Sequence, residues 1–115
     1  MLNKDLKISE NKEHLPLISL LEDTSSLPYK LEEMFLLQKQ LNDSTNGKNW
    51  ELGSNKFGKD INWLRCIHME VSELIESTPW KHWKNINSEP DMSNIHVELV
   101  DIWHFLMSYI LQETN

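Results

Sequence analysis

The sequence has a single cysteine, no cluster of basic residues and no long apolar run. The one cysteine, Cys66, excludes an intrachain disulfide framework and is typical of proteins in a reducing compartment. Binding to a nucleic-acid polymer requires clustered Lys and Arg, whereas this chain has a net charge of -7 and scattered basic residues. The polar N-terminal segment predicts neither a signal peptide nor a membrane span. We therefore expect a cytoplasmic protein that binds neither a nucleic-acid polymer nor a membrane.

The sequence also lacks the alternation of polar and apolar residues that is typical of strands, and shows helical periodicity instead. The pattern predicts three long helices, over residues 28–41, 61–76 and 93–112. Asp60 is the expected N-cap of the second helix, and the segment PWKHWKN predicts a short connecting helix. Apolar residues surround nearly the whole third helix, so we expect it to be central and buried. The fold class is all-α, with one helical bundle over residues 28–115 and an N-terminal extension over residues 1–27.

Acidic residues interrupt two of these helices at regular spacing. Glu70 and Glu73 are three residues apart on the second helix, and Glu98 and Asp101 are three apart on the third. Side chains at positions i and i+3 project from the same side of a helix, so each pair offers two adjacent carboxylates. The pair on the third helix lies among apolar residues, where unpaired carboxylates are costly to bury. Because Arg65 is the lone Lys or Arg on these helices, the pattern predicts a bound divalent cation, Mg²⁺ or alternatively Mn²⁺.

Two other interpretations of these acidic residues remain open. The pattern ExxE is common on solvated helix faces, which applies to Glu70 and Glu73 more than to the pair on the third helix. Asp101 and His104 are also three residues apart, and di-iron bundles use carboxylate–histidine pairs of this kind on two helices. Only one such pair is apparent, so a di-iron site is disfavoured. His104 is instead expected to be a hydrogen-bonded core residue or a support for a metal ligand.

Two amide side chains lie close to the apolar stripe of the first helix. Gln38 and Asn42 are four residues apart and share one face. An amide offers a donor and an acceptor together, which matches the edge of a pyrimidine base. The alternative is a polar pair that bonds to the backbone at the end of the helix.

Two tryptophans and two lysines follow the second helix. Trp80 and Trp83 bracket Lys81, and Lys84 comes directly afterwards. A tryptophan can stack on a base, and a lysine can bind a phosphate. The alternative is a tryptophan-rich plug between helices, with two solvated lysines.

Three segments together resemble one known family. The segments RCIHMEVSELIESTPWKHWKN and NIHVELVDIWHFLMSYIL closely resemble the dimeric, all-α dUTPases of trypanosomatids, some bacteria and phages. The segment LQKQLNDSTNGKNW resembles the first helix of the same family. The core is also similar to the wider all-α NTP pyrophosphatase superfamily, which includes MazG-type enzymes.

The resemblance implies hydrolysis of dUTP, and often dUDP, to dUMP in a magnesium-dependent reaction. It implies that the metal is bound by four carboxylates, those of Glu70, Glu73, Glu98 and Asp101. It also implies that Glu70 or Glu73 orients or deprotonates the attacking water.

The resemblance further implies that Gln38 and Asn42 help to form a uracil pocket. A tryptophan would stack near the base, and Trp83 is preferred over Trp80. The phosphate candidates are two lysines, Lys81 and Lys84.

This sequence is short for that family, whose members usually add C-terminal helices with Lys- and Asn-bearing motifs that complete the phosphate site. The sequence ends at Asn115, so we expect a short form that lacks the C-terminal half. The NTP pyrophosphatase-like domain, residues 28–115, is then expected to form a homodimer that completes the bundle. Two alternatives are a MazG-like pyrophosphatase acting on another nucleotide and a non-catalytic helical dimer that binds metal or nucleotide.

Overall fold

The computed structural model describes residues 24–84 and 87–114, so the predicted extension over residues 1–27 lies almost wholly outside the described residues. The described residues fall into two units, one ending at Met34 and the other beginning at Phe35. Three α-helices are present among the described residues: α1, Leu27–Asn46; α2, Trp63–Glu76; and α3, Met92–Glu113. Short 3-10 turns cover Thr24–Ser26 and Trp50–Leu52. The described residues contain no strand beyond one isolated bridge, so the predicted all-α class is confirmed.

Helix α1 continues past the predicted end at Leu41, through the polar residues that predicted a turn. Two tertiary hydrogen bonds hold this extra turn in place. Asn42 Nδ2 donates to Ser108 Oγ over 2.9 Å, and Asp43 accepts a bond from Trp50 Nε1 over 2.9 Å. The helix ends before Gly47, whose φ of 91° is the left-handed conformation common just after a helix.

Helix α2 begins two residues later than predicted. Asn62, rather than Asp60, is the N-cap, and its side chain accepts a hydrogen bond from the Arg65 backbone. Asp60 instead pairs with Ser54 in the isolated bridge. The first residue of α2, Trp63, is buried and packs edge-on against Trp50, which fixes the preceding loop to the helix.

The predicted short helix over PWKHWKN is wrong. Its described residues form one hydrogen-bonded turn, in which Lys84 N donates to Lys81 O. The connection is held at its ends, because Asp91 N donates to Ser77 O and Asn94 Nδ2 donates to Ser77 Oγ. These bonds place the start of α3 beside the end of α2, and the two helices pack against each other.

Helix α3 is less buried than the sequence predicts. Its buried residues are Ile95, Glu98, Met107 and Ser108. Val97 and Val100 are 55% and 53% exposed, so the expectation of a fully central helix is wrong for the single chain. A helix with apolar side chains on every side becomes fully buried only when other surfaces cover all of its sides. No helix among the described residues is long and apolar enough to span a membrane.

Candidate metal centre and base cavity

Three glutamates meet where α2 packs against α3. Glu70 and Glu73 from α2 and Glu98 from α3 each offer one carboxylate oxygen, and these oxygens lie within 4.8 Å of one another. Glu98 is only 6% exposed. Among the described residues, the ion pairs of Lys and Arg lie elsewhere, on Asp43, Glu51 and Glu76. Three close carboxylates therefore face one another without a basic partner.

The electrostatics of this cluster show the cost of that arrangement. A hydrogen bond to Glu98, followed by partial burial and the negative charges of Glu73, Glu98 and Asp101, raises the pKa of Glu70 to about 7. Like charges at short range disfavour ionisation, so without a cation the cluster retains a proton near neutral pH.

The residues present fit a divalent cation. Glu70 Oε2 and Glu98 Oε2 are buried and have no hydrogen-bond partner in the structure. Buried carboxylate oxygens normally have a donor or a metal ion beside them. A donor set made only of oxygen atoms suits a hard cation such as Mg²⁺ or Mn²⁺. The solvated-face alternative does not account for the two buried oxygens.

The fourth predicted ligand, Asp101, lies at the edge of the cluster. It is absent from the tight group of three, but its charge acts on Glu70. Asp101 also lines a cavity of about 480 Å³ together with Gln38 and Asn42. This volume is within the range of small-molecule sites. The structure therefore brings three predicted ligands together and places the fourth between them and the predicted base-binding amides.

The two amides are buried in a continuous network. Gln38 Nε2 donates to Asn42 Oδ1 over 2.9 Å, and Gln38 Oε1 is hydrogen-bonded to His104 Nδ1. His104 is hydrogen-bonded as expected, but it is only half-buried. Ser108, at the far end of this network, is a residue that the sequence did not predict. The one signal for it was a single serine within the largely apolar run FLMSYIL.

The aromatic rings that line this cavity are Trp63 and Phe105, whose centroids are 6.0 Å apart. The predicted stacking residues lie elsewhere. Trp80 and Trp83 contact each other edge to face at 5.7 Å and are 48% and 64% exposed. The structure does not bring them to the cavity that holds the amides, and their stacking role stays a prediction.

A second cleft borders the cluster, and a third cleft adjoins the second. An acidic cleft of about 490 Å³ is lined by Glu73 and Glu98 and by residues at the junction of α2 and α3, among them Glu76, Asp91 and Asn94. A smaller cleft of about 250 Å³ contains Lys81, Lys84 and Trp80. The two clefts share Glu76, Thr78, Pro79 and Ser88 in their linings, so they are neighbours.

Comparison with known proteins identifies the family of the chain. The family model for dUTPase matches residues 30–115, which include all three helices from the second turn of α1 onward. The chain belongs to the dUTPase family. At the family level, this match supports a dUTP-hydrolysing nucleotide pyrophosphatase, and members of the family generally depend on a divalent metal. A search of curated proteins found no match.

Proposed function

We propose that this dUTPase-family chain hydrolyses dUTP to dUMP and pyrophosphate with Mg²⁺ as cofactor. The observation that carries the proposal is the cluster of Glu70, Glu73 and Glu98, with two buried and unpartnered oxygens, beside a cavity lined by buried amides. A cation site adjoining a pocket with pyrimidine-edge chemistry is what this reaction requires.

In this proposal, the carboxylates bind the metal, and one of them accepts the proton of the attacking water. Glu70, Glu73 and Glu98 supply oxygens from two helices, and Asp101 stands beside them. These residues would hold Mg²⁺, which would supply polarisation of a phosphoryl oxygen and neutralisation of the charge that develops on the leaving pyrophosphate. Glu70 or Glu73 orients the attacking water and accepts its proton. The water oxygen bonds to the α-phosphorus, and the bond from that phosphorus to the departing pyrophosphate breaks.

The two sides of the cluster suit the two ends of a nucleotide. We place the base in the cavity with Gln38 and Asn42, and the phosphates in the acidic cleft with Glu73 and Glu98. The lysine cleft adjoins the acidic one, which supports Lys81 and Lys84 as phosphate-binding residues. Trp83 and Trp80 remain candidates for stacking, and Trp63 and Phe105 are additional candidates because they already line the base cavity.

The partner that we propose is a second copy of the chain. Exposed apolar side chains on α3, with Val97 and Val100 more than half exposed, form a face that a homodimer would cover. A cytoplasmic location is supported by the single cysteine, because such a chain needs no oxidising compartment to fold.

The test is pyrophosphate release from dUTP, dCTP, dTTP and dATP, each with Mg²⁺ and with a chelator. We expect metal-dependent release that is greatest with dUTP. Glu98→Gln should reduce turnover by at least about a hundredfold, because it removes one buried charge from the cation site. Glu113→Gln, an exposed acid at the end of the same helix, is the matched control and should keep full activity.

Other results would redirect the assignment. Preference for another nucleotide would support a MazG-like pyrophosphatase. No release from any nucleotide, in a folded protein that still binds Mg²⁺, would support a non-catalytic helical dimer. Full activity of Glu98→Gln would show that the cation site is wrongly assigned.

A further inference from the structure

Ser108 occupies an unusual position in the base cavity. It is 0% exposed, and its hydroxyl lies in the C-terminal part of α3 among mostly apolar residues. Ser108 Oγ is 2.8 Å from the carbonyl oxygen of His104, one turn earlier on the same helix. Two oxygens at that distance require a hydrogen between them, so the hydroxyl donates its one proton to the carbonyl.

This assignment leaves Ser108 Oγ as an acceptor toward its other neighbour. Asn42 must therefore present its Nδ2 amide group to Ser108, over 2.9 Å, and its Oδ1 to the Gln38 side chain. Gln38 then donates through Nε2, and its Oε1 is left to face His104 Nδ1. One hydroxyl thus sets the direction of the whole chain of hydrogen bonds, and at its end His104 carries a proton on Nδ1.

The direction of these hydrogen bonds determines which donors and acceptors the cavity presents to a base. Each amide uses one hydrogen and one lone pair within the network, so Asn42 keeps one hydrogen and one lone pair for a ligand. Uracil presents a donor at N3 beside a carbonyl acceptor, whereas cytosine presents an acceptor at N3 beside an amino donor. Rotating the Asn42 amide by 180° exchanges its oxygen and nitrogen, which changes the base it can pair with. The orientation of one amide therefore separates uracil from cytosine.

We propose that Ser108 is a positioning residue that sets uracil selectivity by fixing the orientation of the Asn42 amide. The inference rests on the proposed function, since it deepens the base specificity of the same site. Ser108 does not touch the base; it acts through Asn42.

The first test measures binding of dUMP and of dCMP by calorimetry, with Mg²⁺ present, to the whole protein and to Ser108→Ala. The selectivity, expressed as the ratio of the two Kd values, should fall by about tenfold or more, because the freed amide can turn to meet cytosine. Thr114→Ala is the control. It also removes a hydroxyl that donates to a carbonyl four residues earlier on α3, but it does not line the cavity, so the ratio should be unchanged. Equal weakening of both nucleotides by Ser108→Ala would overturn the proposal.

A second test needs no nucleotide, so it separates failure of this inference from failure of the proposed function. Imidazole nitrogen NMR should show neutral His104 with its proton on Nδ1 alone in the wild-type chain, and both tautomers in Ser108→Ala. A wild-type ring protonated only on Nε2 would overturn the assigned direction of the network. A protein with the expected tautomer that binds neither nucleotide would contradict the proposed function, and with it the selectivity, but not the role of Ser108 in ordering the amides.

Discussion

Replacing Glu70 by glutamine should make the metal-free protein more stable at pH 8. The pKa of this carboxyl rises from 4.5 to about 7 in the folded chain, first because of its hydrogen bond to Glu98. A group whose folded pKa is raised binds more protons when folded, so its contribution to stability is fully present below pH 4.5 and is lost as the pH rises through 7. The amide introduced by Glu70→Gln is neutral throughout this pH range and has no such loss.

The size of the effect follows from the same pKa. A rise from 4.5 to about 7 corresponds to about 3 kcal/mol at about 1.4 kcal/mol per pKa unit. Glu70 is partly exposed, and solvent screening reduces this to about 1–2 kcal/mol. For a chain of this length, roughly 4–8 °C of melting temperature accompanies each kcal/mol. The substitution should therefore raise Tm by roughly 5–15 °C at pH 8 and change it little at pH 5.

The assay is thermal unfolding followed by circular dichroism, in chelator, from pH 5 to pH 8. Added Mg²⁺ should reverse the order at pH 8, because the cation neutralises the carboxylates of the wild-type chain and binds the variant less well. Glu113→Gln controls for the loss of an exposed acid. If Glu70→Gln and the wild type show the same pH dependence in chelator, the electrostatic account of the cluster is wrong.

Two further substitutions test other parts of the structure. Val100→Glu should convert a dimer into a monomer, as measured by light scattering, because it places a charge on the exposed face of α3. Lys59→Glu, in an exposed loop, is its charge control, and a wild-type monomer would contradict the proposed interface. Trp63→Phe should lower the free energy of unfolding by about 1–3 kcal/mol, since it removes the 2.7 Å bond from Nε1 to Gln112 and part of a buried ring. An unchanged denaturant midpoint would show that this bond contributes nothing to stability.

Helical periodicity and acid spacing were sufficient to predict most of the fold and the grouping of three candidate metal ligands. The bounds of α2 and α3 lie within two residues of the predicted ones, because their apolar residues recur at spacings set by the helix itself. The same regular spacing places Glu70 and Glu73 on one side of α2, so their proximity depends on local geometry alone. Glu98 joins them because those two helices pack together, as the apolar faces predict.

The features of the fold that the sequence did not predict depend on contacts between distant parts of the chain. Helix α1 continues through Asn42 because Ser108, 66 residues later, holds that amide, and local propensity carries no trace of this bond. The role of Trp63 could not be predicted from the sequence for the same reason, since its partners Trp50 and Gln112 come from other elements. The described residues of the connecting segment from Pro79 form no helix, and the segment is held near its ends by the bond between Asp91 N and Ser77 O, which sequence periodicity does not reveal.

The acidic cleft beside the cluster has a consequence for the form in which a nucleotide arrives. In the part of the chain that the structure describes, its lining includes Glu73, Glu76, Asp91 and Glu98 and no Lys or Arg. A bare triphosphate is repelled by such a surface, whereas a triphosphate already carrying cations is not. With the phosphates placed in this cleft as proposed, the net charge of a nucleotide would affect its binding before its base makes any contact. Free nucleotide in excess over magnesium should compete poorly, and the magnesium concentration should govern how much substrate the protein can recognise.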